Sequence, residues 1–294
     1  FVSFNFAFSE EFNLRDVCFE KKIFYLLMYK ECVRTKGNYN STFKKKYKNA
    51  VDLNKNILKV SVYNDDMKKE LIRNNIFNKN QICVTGMPRS SYSQKKEKKI
   101  IKKNIVFFLT SERAGIPVDR DLLPNKIKNL NWSDINECVL QVFGELSKKY
   151  PIINFIIKSK AGLSKKDQDK IRDSIKSPNI KFYQGGAGHS LIKSSFVVIA
   201  FNSTTIYEAI LNRKKVIIPY LKKYKNKTYR DYILEYPKNL CVENKKDLVK
   251  KIEATISNKK LINAKISKEE NKLIKKYLGN IKMAPKNMRQ FLNI

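Results

Sequence analysis

The chain has few of the side chains from which metal sites and disulfide frameworks are built. It contains one histidine and five cysteines in 294 residues, and no two cysteines form a C-x-x-C pair. A zinc site is therefore not expected. The odd number of scattered cysteines favours reduced thiols in a cytosolic protein.

Long apolar runs are also absent, since none reaches the roughly 18 residues that span a bilayer. Residues 1–8 carry neither a methionine nor a basic segment, so they do not form a signal peptide. Val2, Phe4 and Phe6 alternate with small or polar residues, as in the interior of a longer protein. We therefore expect N-terminal sequence to be missing.

Acidic residues are outnumbered, with 61 Lys and Arg against 27 Asp and Glu and a formal net charge of +34. Such a charge attracts phosphorylated substrates, an anionic membrane leaflet or nucleic acid. The lysines are spread along the chain and form no dense stripe with interleaved aromatics, so most are interpreted as solvated. A basic nucleic-acid-binding protein remains the alternative of another class.

What is present is an alternation of short apolar strands and helices on both sides of a charged segment. This pattern predicts an α/β protein of two doubly wound domains, with a ligand in the cleft between them at the carboxyl ends of the strands. The predicted boundaries are an N-terminal domain at residues 1–92, a linker at 93–103 and a C-terminal domain with terminal helices at 104–294. Within the first domain, residues 32–48 are predicted to form a mobile loop.

The most informative stretch follows a predicted buried strand at residues 196–201. Four side chains there can cap a helix or hydrogen-bond an oxyanion: Asn202, Ser203, Thr204 and Thr205. A hydroxyl-rich turn at the carboxyl end of a buried strand is where α/β proteins hold phosphate, although a simple helix cap would use the same residues. Glu208, one turn later, is either an acceptor for sugar hydroxyls or a charge that favours the helix dipole.

Further polar groups follow the ends of other predicted strands. They are Lys30, Glu31, Gly86, Arg89, Lys158, Lys160, Gly186, Gly188 and His189. If the strands are parallel, these groups gather along one cleft, where basic side chains and glycine-rich backbone make a diphosphate site. In so basic a chain a lysine occurs easily by chance after a strand. The guanidinium of Arg89 is better suited to phosphate, because it can donate two parallel hydrogen bonds. His189 has either a structural or a functional role.

On these residues the chain resembles the GT-B glycosyltransferases of bacterial surface-polysaccharide biosynthesis. It is similar also to their CDP-glycerol glycerophosphotransferase and UDP-N-acetylglucosamine 2-epimerase relatives. The motifs are YKE at residues 29–31, VTGMPR at 84–89, and NSTT-x-x-EA at 202–209 followed by VIIP at 216–219. The resemblance covers roughly residues 23–292. The glycine-rich loop usual in the N-terminal domain and the catalytic acid pattern of the epimerases are not recognisable.

The resemblance implies a GT-B-like fold with two Rossmann-like domains facing a cleft, the N-terminal one truncated. It implies that the C-terminal domain binds a nucleotide-activated sugar, with Ser203, Thr204 and Thr205 on its phosphates and Glu208 facing ribose or sugar. The N-terminal domain would bind the acceptor and supply Glu31 as a base. Arg89 and His189 complete the predicted catalytic set.

No cofactor or metal is expected, because positive charge and backbone N–H groups would stabilise the departing phosphate. The D-x-D spacing at residues 119–121 lies in a proline-flanked loop and is interpreted as incidental. The acceptor would be a glycan or a lipid-linked glycan. A cytoplasmic location follows, with contact between the lysines and the inner face of the membrane left open. A noncatalytic remnant of the fold is a third possibility.

Overall fold

The computed structural model describes residues 1–4, 9–41, 56–89, 104–117, 121, 123–159, 165–174, 176–186, 188–258 and 265–293. The chain divides into two compact units. The first comprises Phe1–Gln94, Gly115–Leu123 and Asn271–Ile294, and the second comprises Lys95–Ala114 and Pro124–Glu270. The segment from Asn271 thus belongs to the first unit, whereas the sequence assigned it to the second domain. The linker predicted at residues 93–103 lies outside the described residues.

Strands and helices alternate through both units. The strands are β1 (Val2–Ser3), β2 (Leu26–Met28), β3 (Lys59–Val62), β4 (Ile82–Val84), β5 (Asn104–Phe108), β6 (Asn154–Ser159), β7 (Ile180–Gln184), β8 (Ser195–Ala200), β9 (Lys215–Pro219) and β10 (Cys241–Val242). The helices are α1 (Ser9–Glu20), α2 (Lys36–Ser41), α3 (Asp65–Arg73), α4 (Asn125–Lys128), α5 (Ser133–Lys149), α6 (Lys165–Ser174), α7 (Gly188–Ser194), α8 (Thr205–Leu211), α9 (Lys245–Ser257), α10 (Lys268–Leu278) and α11 (Ala284–Leu292). Within the described part of the chain, none of these helices is both long and apolar enough to cross a bilayer.

The first unit has four parallel strands that lie side by side in the order of the sequence, β1-β2-β3-β4. Its core packs around Leu27, Val60 and Val62, each fully buried in a strand. α11 packs on one face of this sheet, where Met288 and Phe291 contact Leu26 and lie against Met28 and Cys83. Apolar residues at intervals of three to four, together with a proline in the first turn, explain why this C-terminal segment is helical.

α2 lies within residues 32–48, where the sequence analysis predicted a loop. Thr35 explains its start, because the backbone N–H of Asn38 donates to the Thr35 hydroxyl (3.3 Å), as at a helix N-cap. The prediction of a loop was therefore wrong for Lys36–Ser41.

The second unit has six parallel strands in the order β10-β9-β8-β5-β6-β7. The chain runs from β5 to β7 in one direction, then returns to place β8 on the other side of β5. Helices cover the sheet so that the central strands are buried on both faces, which explains the continuous apolar runs of β5 and β8. One core cluster joins Phe107 and Ile199 of the strands to Phe143 of α5 and Leu248 of α9.

Candidate functional site

The second unit has a switch point where β8 lies beside β5, with Phe108 paired to Ala200 in register. Doubly wound sheets open a crevice at such a point, outside the carboxyl ends of the two strands, because the connecting helices leave in opposite directions. The residues that follow β5 and β8 therefore form the candidate site of this unit.

Asn202 fixes the turn after β8. Its side-chain amide donates to the carbonyl oxygens of Ala114 (2.9 Å) and Tyr232 (2.8 Å). Its Oδ1 accepts from the backbone N–H of Leu234 (2.9 Å) and the hydroxyl of Tyr236 (3.0 Å). These four bonds use both amide protons and both lone pairs of the side chain. Asn202 also has a φ of +46°, a conformation that asparagine tolerates better than most residues.

The hydroxyl groups that follow Asn202 are half-buried and bond among themselves. The Ser203 hydroxyl donates to Thr205 Oγ1 (3.0 Å) and accepts from the Thr205 backbone N–H (3.3 Å). Thr204 stands at the N-terminus of α8 and makes no side-chain capping bond. In the described residues, the backbone N–H groups of Ser203 and Thr204 have no backbone acceptor. The turn therefore has hydroxyl and N–H donors that take no part in the backbone hydrogen bonds of α8.

Glu208 lies one turn into α8 and is buried, with 7% of its surface exposed. Its backbone N–H donates to Thr204 O (3.2 Å), which places it directly above the turn. The neighbouring Tyr207 ties the same helix to the loop after β9 by donating from its hydroxyl to Glu235 O (2.6 Å). An ionised carboxylate accepts hydrogen bonds only, so Glu208 suits a ligand that brings hydroxyl donors.

Thr110 follows β5 and faces the switch point from the other strand. Its backbone is held by Asn136 of α5, which accepts from Thr110 N (3.0 Å) and donates to Thr110 O (2.9 Å). Its hydroxyl is buried and has no hydrogen-bond partner in the part of the chain described here. The sequence analysis missed Thr110, because the importance of this strand end follows from the strand order and not from any motif.

Lys158 and Ser159 end β6, the next strand beyond β5. Lys158 is buried, and its ammonium donates to Ser159 O (2.6 Å). Burial lowers the pKa of Lys158, because the low-dielectric surroundings disfavour the charged form. The Ser159 hydroxyl is also buried and unpartnered among the described residues. Lys160, predicted from the sequence as a third group at this strand end, lies outside those residues.

A glycine turn leads from β7 into α7. Gly186 has a φ of +65°, and its backbone oxygen accepts from Gly188 N (2.7 Å). A Cβ atom on Gly188 would meet the Phe108 ring of β5 at 3.4 Å, so α7 starts close to the carboxyl end of that strand. His189 follows, and its Nδ1 is buried with no partner in the described chain. Lys158 thus lies on β6, the strand beside β5, and His189 follows Gly188, the residue that approaches the end of β5.

Comparison with known proteins supports the fold and gives no sequence family. No protein-family profile and no curated protein matches the sequence. The structure is similar to a putative UDP-N-acetylglucosamine 2-epimerase from Listeria monocytogenes, with a TM-score of 0.54, 11% identity, and coverage of 98% of this chain and 72% of that one. It is similar also to the UDP-GlcNAc 2-epimerase from Neisseria meningitidis bound to UDP-GlcNAc, with a TM-score of 0.53, 15% identity, and coverage of 96% and 72%.

A glycosyltransferase structure gives a similar result. A point mutant of S. aureus TarM, in complex with Fondaparinux, alpha-GlcNAc-glycerol and UDP, matches with a TM-score of 0.50 and 17% identity. The match covers 93% of this chain and 52% of TarM. The chain has a GT-B-type fold. At these identities the likeness establishes the fold alone, so the chemistry must be argued from the residues.

In the first unit of this GT-B-type chain, two predicted residues follow β2. Lys30 and Glu31 are both exposed. The backbone oxygen of Glu31 accepts from Arg34 Nε (2.9 Å), and a second guanidinium nitrogen of Arg34 donates to the Tyr29 hydroxyl (2.6 Å). Arg34 therefore shapes the turn that presents Glu31 to solvent.

Gly86 and Arg89 follow β4, at the same edge of the first sheet. Gly86 has a packing role, since a Cβ there would lie 2.8 Å from Asn280 O and 3.1 Å from Ala284 Cβ. The adjoining Met87 N donates to Leu278 O (2.9 Å), so this turn packs closely on the junction of α10 and α11. Arg89 is exposed.

Proposed function

We propose that this chain is a glycosyltransferase that transfers a sugar from a nucleotide-activated donor to a glycan or lipid-linked acceptor. One observation carries the proposal: the hydroxyl-rich turn at residues 203–205 follows β8 at the switch point of a GT-B-type unit. Anions bind at such edges because backbone N–H and hydroxyl donors converge there, and no neighbouring strand takes up their hydrogen bonds.

In the proposed reaction, an acceptor hydroxyl oxygen forms a bond to the anomeric carbon of the donor sugar. The bond from that carbon to the phosphate oxygen breaks, and its electron pair leaves with the nucleoside phosphate. The acceptor proton passes to a base, for which Glu31 is the candidate. Donors that are already in place around the leaving phosphate stabilise its growing charge.

The predicted residues other than Gly86, which packs against Asn280, have proposed roles in this reaction. Ser203, Thr204 and Thr205 bind the phosphates through hydroxyl and backbone donors. Glu208 accepts from ribose or sugar hydroxyls. Arg89 and His189 complete the proposed catalytic set with Glu31. The groups proposed to bind the nucleotide or its phosphates with less specific roles are Lys30, Lys158, Lys160, Gly186 and Gly188. Asn202 holds the turn in place, because all four hydrogen-bonding positions of its side chain are used within the unit.

Two related activities remain alternatives. A 2-epimerase-like reaction is favoured by the likeness to the Listeria and Neisseria epimerase structures, which this chain matches over 72% of their length. A CDP-glycerol-type glycerophosphotransferase would use the same phosphate edge with another donor. Proton NMR of UDP-GlcNAc incubated without acceptor distinguishes the first of these, because only an epimerase forms the 2-epimer under that condition.

A thermal-shift screen of CMP, CDP, UDP, GDP and their sugars tests the proposal most economically. We expect one nucleotide family to stabilise the protein saturably, since a ligand that binds only the folded state raises the melting temperature. Release of the nucleoside phosphate in the presence of a glycan acceptor, unchanged by EDTA, would then establish metal-independent transfer. Binding without turnover of any donor would instead support a noncatalytic remnant.

The nucleic-acid alternative makes the opposite prediction. Retention on nonspecific DNA that disappears at moderate salt, together with no saturable binding of any nucleotide sugar, would replace the present proposal.

A further inference from the structure

The loop between β9 and β10 is held rigidly beside the switch point. We call residues 221–236 the basic loop. Tyr224 is buried in it, donates from its hydroxyl to Asn131 O (3.1 Å) and packs edge-on against Trp132 with ring centroids 5.0 Å apart. Asn202 binds the far end of the loop through Tyr232 O and Leu234 N. The same side chain that fixes the proposed phosphate turn therefore also fixes this loop.

The basic loop presents cations that the unit itself does not neutralise. It carries five basic residues, Lys222, Lys223, Lys225, Lys227 and Arg230, against two acids, Asp231 and Glu235. Lys223 pairs with Asp134, and Lys225 pairs with Glu243. The other three cations are exposed, and none of them has an acid within 4.0 Å in the described part of the chain.

Three tyrosines lie among these cations with part of each ring exposed: Tyr220, Tyr229 and Tyr232. Tyrosine is suited to such a place because it joins a rigid apolar face to a polar tip at little cost in conformational entropy. Flat apolar faces between fixed positive charges match a chain of sugar rings that carries anionic groups. The position also suits an acceptor, because the loop follows β9, the strand that pairs with β8.

We propose that the basic loop binds the acceptor, and that this acceptor is a glycan carrying phosphate groups. Lys222, Lys227 and Arg230 contact the anionic groups, and the tyrosine faces contact the sugar rings. The inference rests on the proposed function, since it names the class of that function's acceptor, and it adds a contact on the second unit to the one that the resemblance assigns to the N-terminal domain. Affinity for such a glycan should fall as salt rises, because binding releases cations from the phosphates and added salt opposes that release.

The test measures binding of a fluorescein-labelled hexasaccharide phosphorylated on every sugar, by fluorescence anisotropy at low and physiological salt. The variant is Lys222→Gln/Lys227→Gln/Arg230→Gln. The matched control is Lys148→Gln/Lys176→Gln/Lys181→Gln, which removes the same charge from exposed lysines of the same unit outside the basic loop. We expect the loop variant to bind about tenfold more weakly, and the control to change affinity less than about twofold.

Several outcomes would overturn the proposal. Equal losses in the two variants would mean that only the total charge matters. Equal binding of the unphosphorylated hexasaccharide would remove the anionic requirement. Tighter loop-dependent binding of a single-stranded RNA hexamer, or of phosphatidylglycerol vesicles, would assign the surface to another partner. Binding of CMP, CDP, UDP and GDP is measured in parallel. If the unaltered protein binds none of them, the proposed function is contradicted, whereas the glycan result is judged separately.

Discussion

The first unit sets its four strands in the order of the sequence, whereas the second unit returns across its sheet and places β8 beside β5. Only the second arrangement creates a switch point within the described residues. The threonines that follow β4 in the first sheet and β5 in the second differ in their hydrogen bonding. Thr85, after β4, donates from its hydroxyl to Val62 O (3.3 Å) and Gly86 O (3.1 Å). Thr110, after β5, has a buried hydroxyl with no partner among those residues.

This contrast supports the proposal that the edge of the second sheet binds the ligand. Buried polar groups in folded proteins are almost always hydrogen-bonded, so each exception needs a reason. Three such exceptions occur in the described second unit at or just after strand ends: Thr110 Oγ1, Ser159 Oγ and His189 Nδ1. A bound phosphate or nucleoside would supply their partners. The predictions below separate residues that hold each unit together from residues that serve the proposed ligand.

The largest effect is expected from Gly279→Ala in the first unit. Gly279 has a φ of +73°, and a Cβ there would overlap the backbone oxygen of Tyr63. We expect a loss of about 3 kcal/mol in the free energy of unfolding, because backbone atoms cannot move aside cheaply. Gly186→Ala in the second unit is the matched control, since its φ is similar and nothing lies within 4 Å. It should cost only about 1 kcal/mol.

The measurement is urea unfolding followed by two probes. Trp132 is the only tryptophan and is fully buried in the second unit, so its fluorescence reports that unit. Hydrogen exchange of peptides from β2 to β4 reports the first. Similar losses for both glycine variants would contradict the close approach of the Gly279 turn to Tyr63.

Two asparagines that donate to backbone oxygens, one in each unit, allow the same substitution to be compared between the units. Asn202 donates to two backbone oxygens in the second unit, and Asn64 donates to Cys32 O (3.3 Å) and Tyr277 O (2.7 Å) in the first. Asn→Asp at either position removes both donors, so each variant should lose about 2 kcal/mol of stability. Only Asn202→Asp should also weaken binding of the nucleotide that the thermal-shift screen selects, because only Asn202 holds the proposed phosphate turn. A matching loss of nucleotide affinity in Asn64→Asp would contradict this division of roles.

Ser203→Ala with Thr204→Ala tests the phosphate assignment itself. We expect nucleotide affinity to fall about tenfold or more, since hydrogen bonds to charged groups contribute more than neutral ones. Stability should fall by about 1 kcal/mol at most, because these side chains are half-buried and, within the described chain, only Ser203 makes hydrogen bonds, both of them to Thr205. Thr228→Ala with Ser257→Ala removes the same hydroxyls from exposed positions and is the control. Unchanged affinity, measured by calorimetry, would show the phosphate assignment to be wrong.

The smallest effect concerns the buried Lys158. Its pKa is lowered by burial, so between that pKa and the unfolded value of 10.5 the unfolded chain binds more protons than the folded one. Stability contributed by this residue therefore rises with pH through that window. Lys158→Met should raise the stability at pH 7. It should also make stability increase less with pH than it does in the unaltered protein. Thermal unfolding from neutral to alkaline pH measures both effects. A steeper rise in the variant would contradict the attribution of the lowered pKa to burial of the Lys158 ammonium.

Part of this architecture was predictable from local pattern. The spacing of Ile135, Val139, Val142, Phe143 and Leu146 predicted the buried face of α5, and all five are buried. The fold class followed from the alternation of strands and helices. These features depend on neighbours in sequence, where period and composition carry the information.

Other features depend on contacts between distant residues. The role of Asn202 requires Ala114, 88 residues earlier, and Tyr236, 34 residues later. Gly86 looked like a ligand-binding glycine, yet its close neighbour is Asn280 in the C-terminal segment. Thr110 gained its importance from the strand order alone. No local motif encodes these relations, because they exist only after the sheet has assembled.

The central claim is that nucleotide binds at the carboxyl edge of the second sheet, beside the switch point. Hydrogen exchange of the full chain, with and without a saturating amount of the nucleotide that the thermal-shift screen selects, tests it directly. The account predicts protection of the segments after β5 and β8, at residues 109–112 and 201–208. Protection only at residues 29–34 and 85–89, with none after β8, would contradict it.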